Sequence, residues 1–259
     1  MFIDSHTHLD HCREDAVELI ADARDAGVGL IVQAGIDMAR SRWSVELADR
    51  HAEVFATVGI HPHEAGHATE EHMASIERLT THRRVVAVGE TGFDFFHDYW
   101  PHDVQQEVFV RLIGLARRAD LPLVVHTRDA ADRTLSVLAE HAPGLTVVLH
   151  CFSLPERLEE VVERGYYLSF AGNVTYKNAV DLQAAAAAVP AHVILLETDA
   201  PWLTPVPWRG RPNRPALVAR TYEFVAGLRG VAVEELAVQI EKNVRRAFPR
   251  LAAGLGSGL

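Results

Sequence analysis

Short apolar, β-branched runs alternate along the chain with longer stretches whose apolar positions recur every three to four residues. The short runs predict strands at Phe2–Ser5, Gly29–Ala34, Val54–Ile60, Val85–Gly89, Leu123–Val125, Thr146–Leu149, Tyr166–Phe170 and Val193–Glu197. Helices are predicted near 14–26, 38–52, 70–81, 103–119, 129–140, 155–164 and 176–188, with a final pair near 215–228 and 233–247. Val108, Phe109, Leu112, Ala116 and Ala119 trace one apolar stripe of the fourth helix. Thr69 ahead of Glu70 and Glu71 reads as an N-cap, and Pro155 and Gly165 bracket the sixth helix. The alanine run Ala184–Ala188 is plain helix former. Strands that alternate with helices make a parallel sheet, and eight is the number that closes a barrel. The predicted class is therefore α/β, a single (β/α)8 TIM barrel over residues 1–250, with 251–259 as a flexible Gly-rich tail.

Composition narrows this picture only a little. The 259 residues suit one barrel, and 48% hydrophobic content supplies a large core. The 35 acidic and 25 basic residues give a net charge of −10, against a surface that attracts nucleic acid everywhere. A local basic patch remains compatible with that total. Two cysteines, Cys12 and Cys151, are no disulfide framework and fit a reducing compartment. No apolar run is long enough to span a membrane, and the chain opens on a strand rather than a charged leader, so a cytoplasmic location without membrane association is expected.

The chemistry collects where the strands stop. On an extended strand His6 and His8 share one face, about 6–7 Å apart, close enough to close on one ion. Strand three ends at His61-Pro62-His63, strand four at Glu90-Thr91-Gly92-Phe93-Asp94, strand five at His126-Thr127-Arg128, strand six at His150-Cys151 and strand eight at Glu197-Thr198-Asp199. In a parallel barrel all these ends open on one face, where such folds carry their active sites. Four imidazoles and two carboxylates from among these residues already exceed one tetrahedral site and suit two ions sharing a carboxylate and a water. Cys151, by strand alternation, points away from the face used by His150.

The blocks His-Thr-His-Leu-Asp, Gly-Ile-His-Pro, Gly-Glu-Thr-Gly-Phe-Asp, Val-His-Thr-Arg, His-Cys-Phe-Ser and Glu-Thr-Asp-Ala-Pro-Trp-Leu-Thr-Pro occur in this order. Together they closely resemble the TatD family of metal-dependent hydrolases, over residues 2 to about 248. The resemblance implies that His6, His8 and Asp199 hold one divalent ion, that His126 and His150 hold a second, and that Glu90 bridges the two. It also implies DNase activity, largely exonucleolytic from the 3′ end, in a family that includes deacylases of D-aminoacyl-tRNA. One stretch departs from the family pattern: Arg211-Pro212-Asn213-Arg214-Pro215 stands where a basic-Asn-acidic-Pro sequence is usual.

The expected reaction is hydrolysis of a phosphodiester, most readily in single-stranded DNA, with two divalent cations per subunit activating the attacking water. Nitrogen and oxygen ligands without thiolate are compatible with Zn²⁺, Mn²⁺ or Mg²⁺. Asp199 is the candidate general base, with Glu90 as the other catalytic carboxylate. Glu197 and Asp94 are expected behind the ligands, Glu197 orienting a histidine. His61 and Arg128 are expected to hold substrate phosphate, and His63 to be a plain loop histidine. Arg209, Arg211, Arg214 and Arg220, interleaved with Trp202 and Trp208, form a candidate strand-binding loop. Two other readings compete: a metallo-deacylase or amidase on the same centre, and a non-catalytic nucleic-acid-binding protein with structural ions.

Overall fold

The structure is a computed structural model, and it describes residues 1–254. Its elements run β1 (Phe2–Thr7), α1 (Ala16–Asp25), β2 (Val28–Gln33), α2 (Met38–Arg50), β3 (Val54–Val58), α3 (Glu70–Leu79), β4 (Val85–Asp94), α4 (His102–Ala119) and β5 (Leu123–Arg128). They continue as α5 (Ala131–His141), β6 (Val147–Leu149), α6 (Leu158–Glu163), β7 (Tyr167–Phe170), α7 (Val180–Ala188), β8 (Ile194–Leu196), α8 (Val218–Arg229), α9 (Val233–Ala247) and α10 (Pro249–Gly254). The strands form one parallel sheet in chain order from β1 to β8, the order of a (β/α)8 barrel.

The largest departure from the predicted boundaries is β4. It runs past Gly89 to Asp94, because Gly92, Phe93 and Asp94 pair in register with His126, Thr127 and Arg128 of β5. Polar residues ended the predicted strand, yet these polar residues remain in the ladder. Glycine makes the pairing sterically feasible. Gly89 and Gly92 have φ of +142° and +140°, and a Cβ would lie 2.5 Å from the Val124 carbonyl oxygen and 2.0 Å from that of His126, respectively. The sixth helix opens with a 3-10 turn, Pro155–Arg157, and Gly165 follows it with φ +74°. Helix starts are capped as their sequences suggest. Asp15 accepts from the Val17 N–H, Asp37 from that of Arg40 and Thr69 from that of His72.

The chain divides into two compact units. The first comprises Met1–Gln33 and His150–Arg246, so it contains β1, β2, β7 and β8. Its core includes Ile3, Leu19, Ile31, Phe152, Phe170 and Tyr222, all fully buried. The Tyr222 hydroxyl donates to the Ile3 carbonyl at 3.1 Å, which satisfies the phenol where α8 covers β1. The second unit comprises Ala34–Leu149 and the segment from Ala247. Phe93 packs edge-on against Phe109 at 5.4 Å between ring centroids, seating the predicted stripe of α4 on β4. Arg84 is buried over the Phe55 ring and donates to the carbonyls of Ala48 and His51. Helix α10 carries the chain past residue 250, and Arg250 donates to the carbonyls of Thr80, Val85 and Ala119. Residues 255–259, the rest of the expected tail, lie outside the described residues.

Candidate metal centre

In the first unit, β1 delivers His6 and His8 to one face, and the segment after β8 is tied beside them. The Asp199 N–H donates to the His6 carbonyl at 3.0 Å and the His8 N–H to that of Ala200 at 2.8 Å. Asp199 adopts a left-handed conformation, φ +54°, which aspartate tolerates better than most residues. His6 Nε2 lies 3.1 Å from His8 Nε2, and His8 Nε2 lies 3.4 Å from Asp199 Oδ1. Donor atoms of His6, His8 and Asp199 all lie within 4.8 Å of one another. The His150 ring stacks on His6 with centroids 4.0 Å apart. Glu197 is fully buried, with Oε1 3.4 Å from His150 Nδ1 and accepting the Cys151 N–H at 2.7 Å. Burial pushes the Asp199 carboxyl up, but His8 and the neighbouring imidazoles outweigh it and hold the group below its ordinary value.

Residues that sequence reasoning passed over complete this half. Asp4, two positions before His6 and fully buried, accepts from the Thr198 N–H at 2.8 Å and its hydroxyl at 2.6 Å. Burial, reinforced by Glu197 and opposed by the Thr198 donors, raises its carboxyl to about 8. Asn213, the unchanged residue of the divergent stretch, donates to the carbonyls of Thr198 and Trp202 at 2.8 and 2.7 Å. It thereby fastens both ends of the turn that carries Asp199. The signal for it was that it keeps the family's residue type while its neighbours Pro212 and Arg214 diverge. Asp10 and His11, with His8, form a further group of donors within 4.8 Å.

In the second unit, Glu90 Oε1 lies 3.2 Å from His61 Nε2 and 2.8 Å from His126 Nδ1, and donor atoms of these three cluster within 4.8 Å. His61, expected at substrate phosphate, thus stands among the potential ligands themselves. Burial pushes its imidazole down to about 3 despite the Glu90 carboxylate. Asp94 Oδ2 lies 3.3 Å from His126 Nε2 and 2.8 Å from His63 Nε2. Its Oδ1 accepts the N–H groups of Phe96 and His97 at 3.0 and 2.9 Å. Burial raises the Asp94 carboxyl, but these hydrogen bonds and the His126 imidazole prevail and hold it well below the usual carboxylate range. His63 is therefore no plain loop histidine. Arg128 is exposed, and its guanidinium is engaged by His97 Nε2 at 3.2 Å and by the Phe96 ring at 4.1 Å.

The loop after β8 divides differently from the expectation of one basic cluster. Arg214 pairs with Glu14 and Asp22 at 2.8 and 3.1 Å, and Arg220 pairs with Glu223. Arg209 lies over the Tyr176 ring, while Arg211 is exposed. Trp202 packs against His8 and His11 with half its surface exposed.

The donor sets fit divalent cations. Buried imidazole nitrogens face one another and carboxylate oxygens at close range, an arrangement that a bound cation relieves. Among the described residues neither cysteine joins such a group, and no helix is long and apolar enough to cross a membrane.

The family model for TatD related DNase matches residues 3–249. The chain belongs to the TatD family. An uncharacterized metal-dependent hydrolase TatD from Mycobacterium tuberculosis is 40% identical over 95% of this chain and 97% of its own length. A 3′-5′ ssDNA/RNA exonuclease TatD from a Pantoea species is 35% identical over 92% and 95%, respectively. The crystal structure of the TatD homolog YjjV from Escherichia coli K12 superposes with a TM-score of 0.87 at 30% identity, covering 96% of this chain and 98% of that one. As a TatD family member the protein is a metal-dependent hydrolase with a (β/α)8 fold.

Proposed function

We propose that this TatD protein is a divalent-cation-dependent nuclease that removes nucleotides from the 3′ end of single-stranded nucleic acid, DNA foremost. The observation that carries the reading is the pair of largely buried imidazole–carboxylate clusters, His6–His8–Asp199 and His61–Glu90–His126, at the carboxyl ends of parallel strands. The relative named as a 3′-5′ single-strand exonuclease supports the choice of substrate. His6, His8 and Asp199 would hold one ion and His126 and His150 a second, with Glu90 shared, as the family pattern implies. Bound cations of this kind lower the pKa of water and stabilise charge on both the entering and the leaving oxygen.

The residues of the chain do the rest. Asp199, kept ionised by its imidazole neighbours, takes the proton of the attacking water. Glu197 holds the His150 ring from behind, and Asp94 holds that of His126. Arg128, exposed and held by His97 and the Phe96 ring, meets a phosphate oxygen. Cytoplasmic action on free strand ends fits this chemistry.

Metal-free protein resupplied with Mg²⁺, Mn²⁺ or Zn²⁺ singly, and assayed on 3′-labelled and 5′-labelled single strands, tests the reading. Label release should start at the 3′ end, require the cation, and fall at least about a hundredfold on Glu90→Ala. Digestion that persists after chelation or in Glu90→Ala would overturn it.

A further inference from the structure

The loop between β4 and α4 carries two large aromatic side chains that do not fold inward. Phe96 is 58% and Tyr99 63% exposed. Burying an aromatic ring is favourable, so rings held out in water call for another role. The loop that holds them is firmly anchored. At its start, Asp94 accepts the N–H groups of Phe96 and His97. At its end, the Trp100 indole packs against Gly66 and donates to the His63 carbonyl at 2.8 Å. Gln105 of α4 ties the two ends together, accepting the Asp94 N–H at 2.9 Å and donating to the Trp100 carbonyl at 2.9 Å. Rings fixed in this way bind a flat partner at low cost in conformational entropy.

The surroundings specify the partner. The Arg128 guanidinium lies 4.1 Å over Phe96, and the His97 ring lies near parallel to that of Tyr99, with centroids 5.6 Å apart. The Tyr99 and His63 rings meet in a T-shaped contact with centroids 4.8 Å apart, and His63 shares Asp94 with His126. A run of rings thus leads from the candidate ligand His126 through His63 to Tyr99 and His97, where the Arg128 guanidinium bridges His97 and Phe96. Aromatic faces beside a guanidinium are the means by which single strands are gripped without sequence reading.

We propose that Phe96 and Tyr99 form a stacking platform for the terminal nucleobases of the substrate strand, with Arg128 meeting the phosphate between base and metal centre. The proposal rests on the nuclease reading and extends it. It makes the enzyme dependent on bases near the scissile bond yet indifferent to their identity, since every base offers a π-face.

The test compares Mn²⁺-dependent digestion of dA10 with that of the same strand ending in two abasic nucleotides. The wild type should show a KM about tenfold lower for dA10, equivalent to about 1.4 kcal/mol. Phe96→Ala and Tyr99→Ala should raise KM for dA10 about tenfold and raise it far less for the abasic strand, whose continued digestion shows that the variants are folded. Tyr99→Phe and Phe96→Tyr should retain the preference, and Tyr99→Leu, bulky but without a π-face, should lose it. A wild type that cuts both strands with equal KM, or alanine variants that keep the full preference, would overturn the platform and leave the nuclease standing. A wild type that cuts neither strand would overturn both.

Discussion

Asp94→Asn removes one oxygen and one charge from the point where four donors meet. The Asp94 carboxylate accepts from the backbone N–H groups of Phe96 and His97 through Oδ1 and faces the Nε2 atoms of His126 and His63 through Oδ2. A neutral imidazole carries one N–H. The carboxylate fixes that proton on Nε2 of His126, which leaves the Nδ1 lone pair directed at the Glu90 side, 2.8 Å away. An asparagine must keep its carbonyl oxygen on the two backbone donors, so its NH₂ replaces the acceptor facing both imidazoles. Donor would then oppose donor. The His126 ring relieves this by moving its proton to Nδ1, where a cation has to displace it. Loss of such an orienting carboxylate costs about 10–100-fold in metal affinity, or roughly 1.4–2.7 kcal/mol. Calorimetric titration of metal-free wild type and variant with Mn²⁺ measures the difference, with melting curves to confirm that both are folded. Affinity within twofold of wild type at unchanged stoichiometry would refute the reasoning, because His126 would then owe nothing to Asp94.

Three other outcomes are expected. His61 titrates at about 3 when folded against about 6.5 when unfolded, so the unfolded chain alone takes up the proton as pH falls from 6.5 towards 3, and stability falls with it. Relative to His61→Asn, metal-free wild type should lose about 2 kcal/mol of unfolding free energy between pH 7 and pH 5, and a pH-independent difference in urea denaturation would contradict this. Gly92→Ala drives a methyl to 2.0 Å from the His126 carbonyl oxygen at a φ of +140°, which should cost about 3 kcal/mol or more and lower the melting midpoint by roughly 6–12 °C; an unchanged midpoint would show that β4 is free to move away from β5. Arg211→Ala should reduce the slope of log K for an oligonucleotide against log salt by about one, whereas Arg214→Ala, whose charge is already matched by Glu14 and Asp22, should leave it nearly unchanged. Equal effects would place both arginines on the strand.

The sequence by itself determined the order of elements, the barrel class and the family, because these follow from local signals: periodicity along eight strands, Thr69 at a helix start, and six motif blocks at strand ends. It also put His6 and His8 on one face, since alternation on a strand is strictly local. Partnership between strand ends was decided by the tertiary structure. Which imidazole lies against Glu90 depends on register, and Gly92 opposite His126 sets that register through a close approach no propensity encodes. Asp4 reads as an unremarkable polar residue, and Thr198 and Asn213 as motif positions without a role; only burial turns the three into the frame that holds Asp199. Arg214 looked like its neighbours Arg209 and Arg211 until the fold brought Glu14 and Asp22 against it, 200 and 192 residues away in the chain. Hydrophobic pattern is written in neighbouring residues, whereas the pairing of charges and hydrogen bonds is written in distances that exist only after the chain has closed on itself.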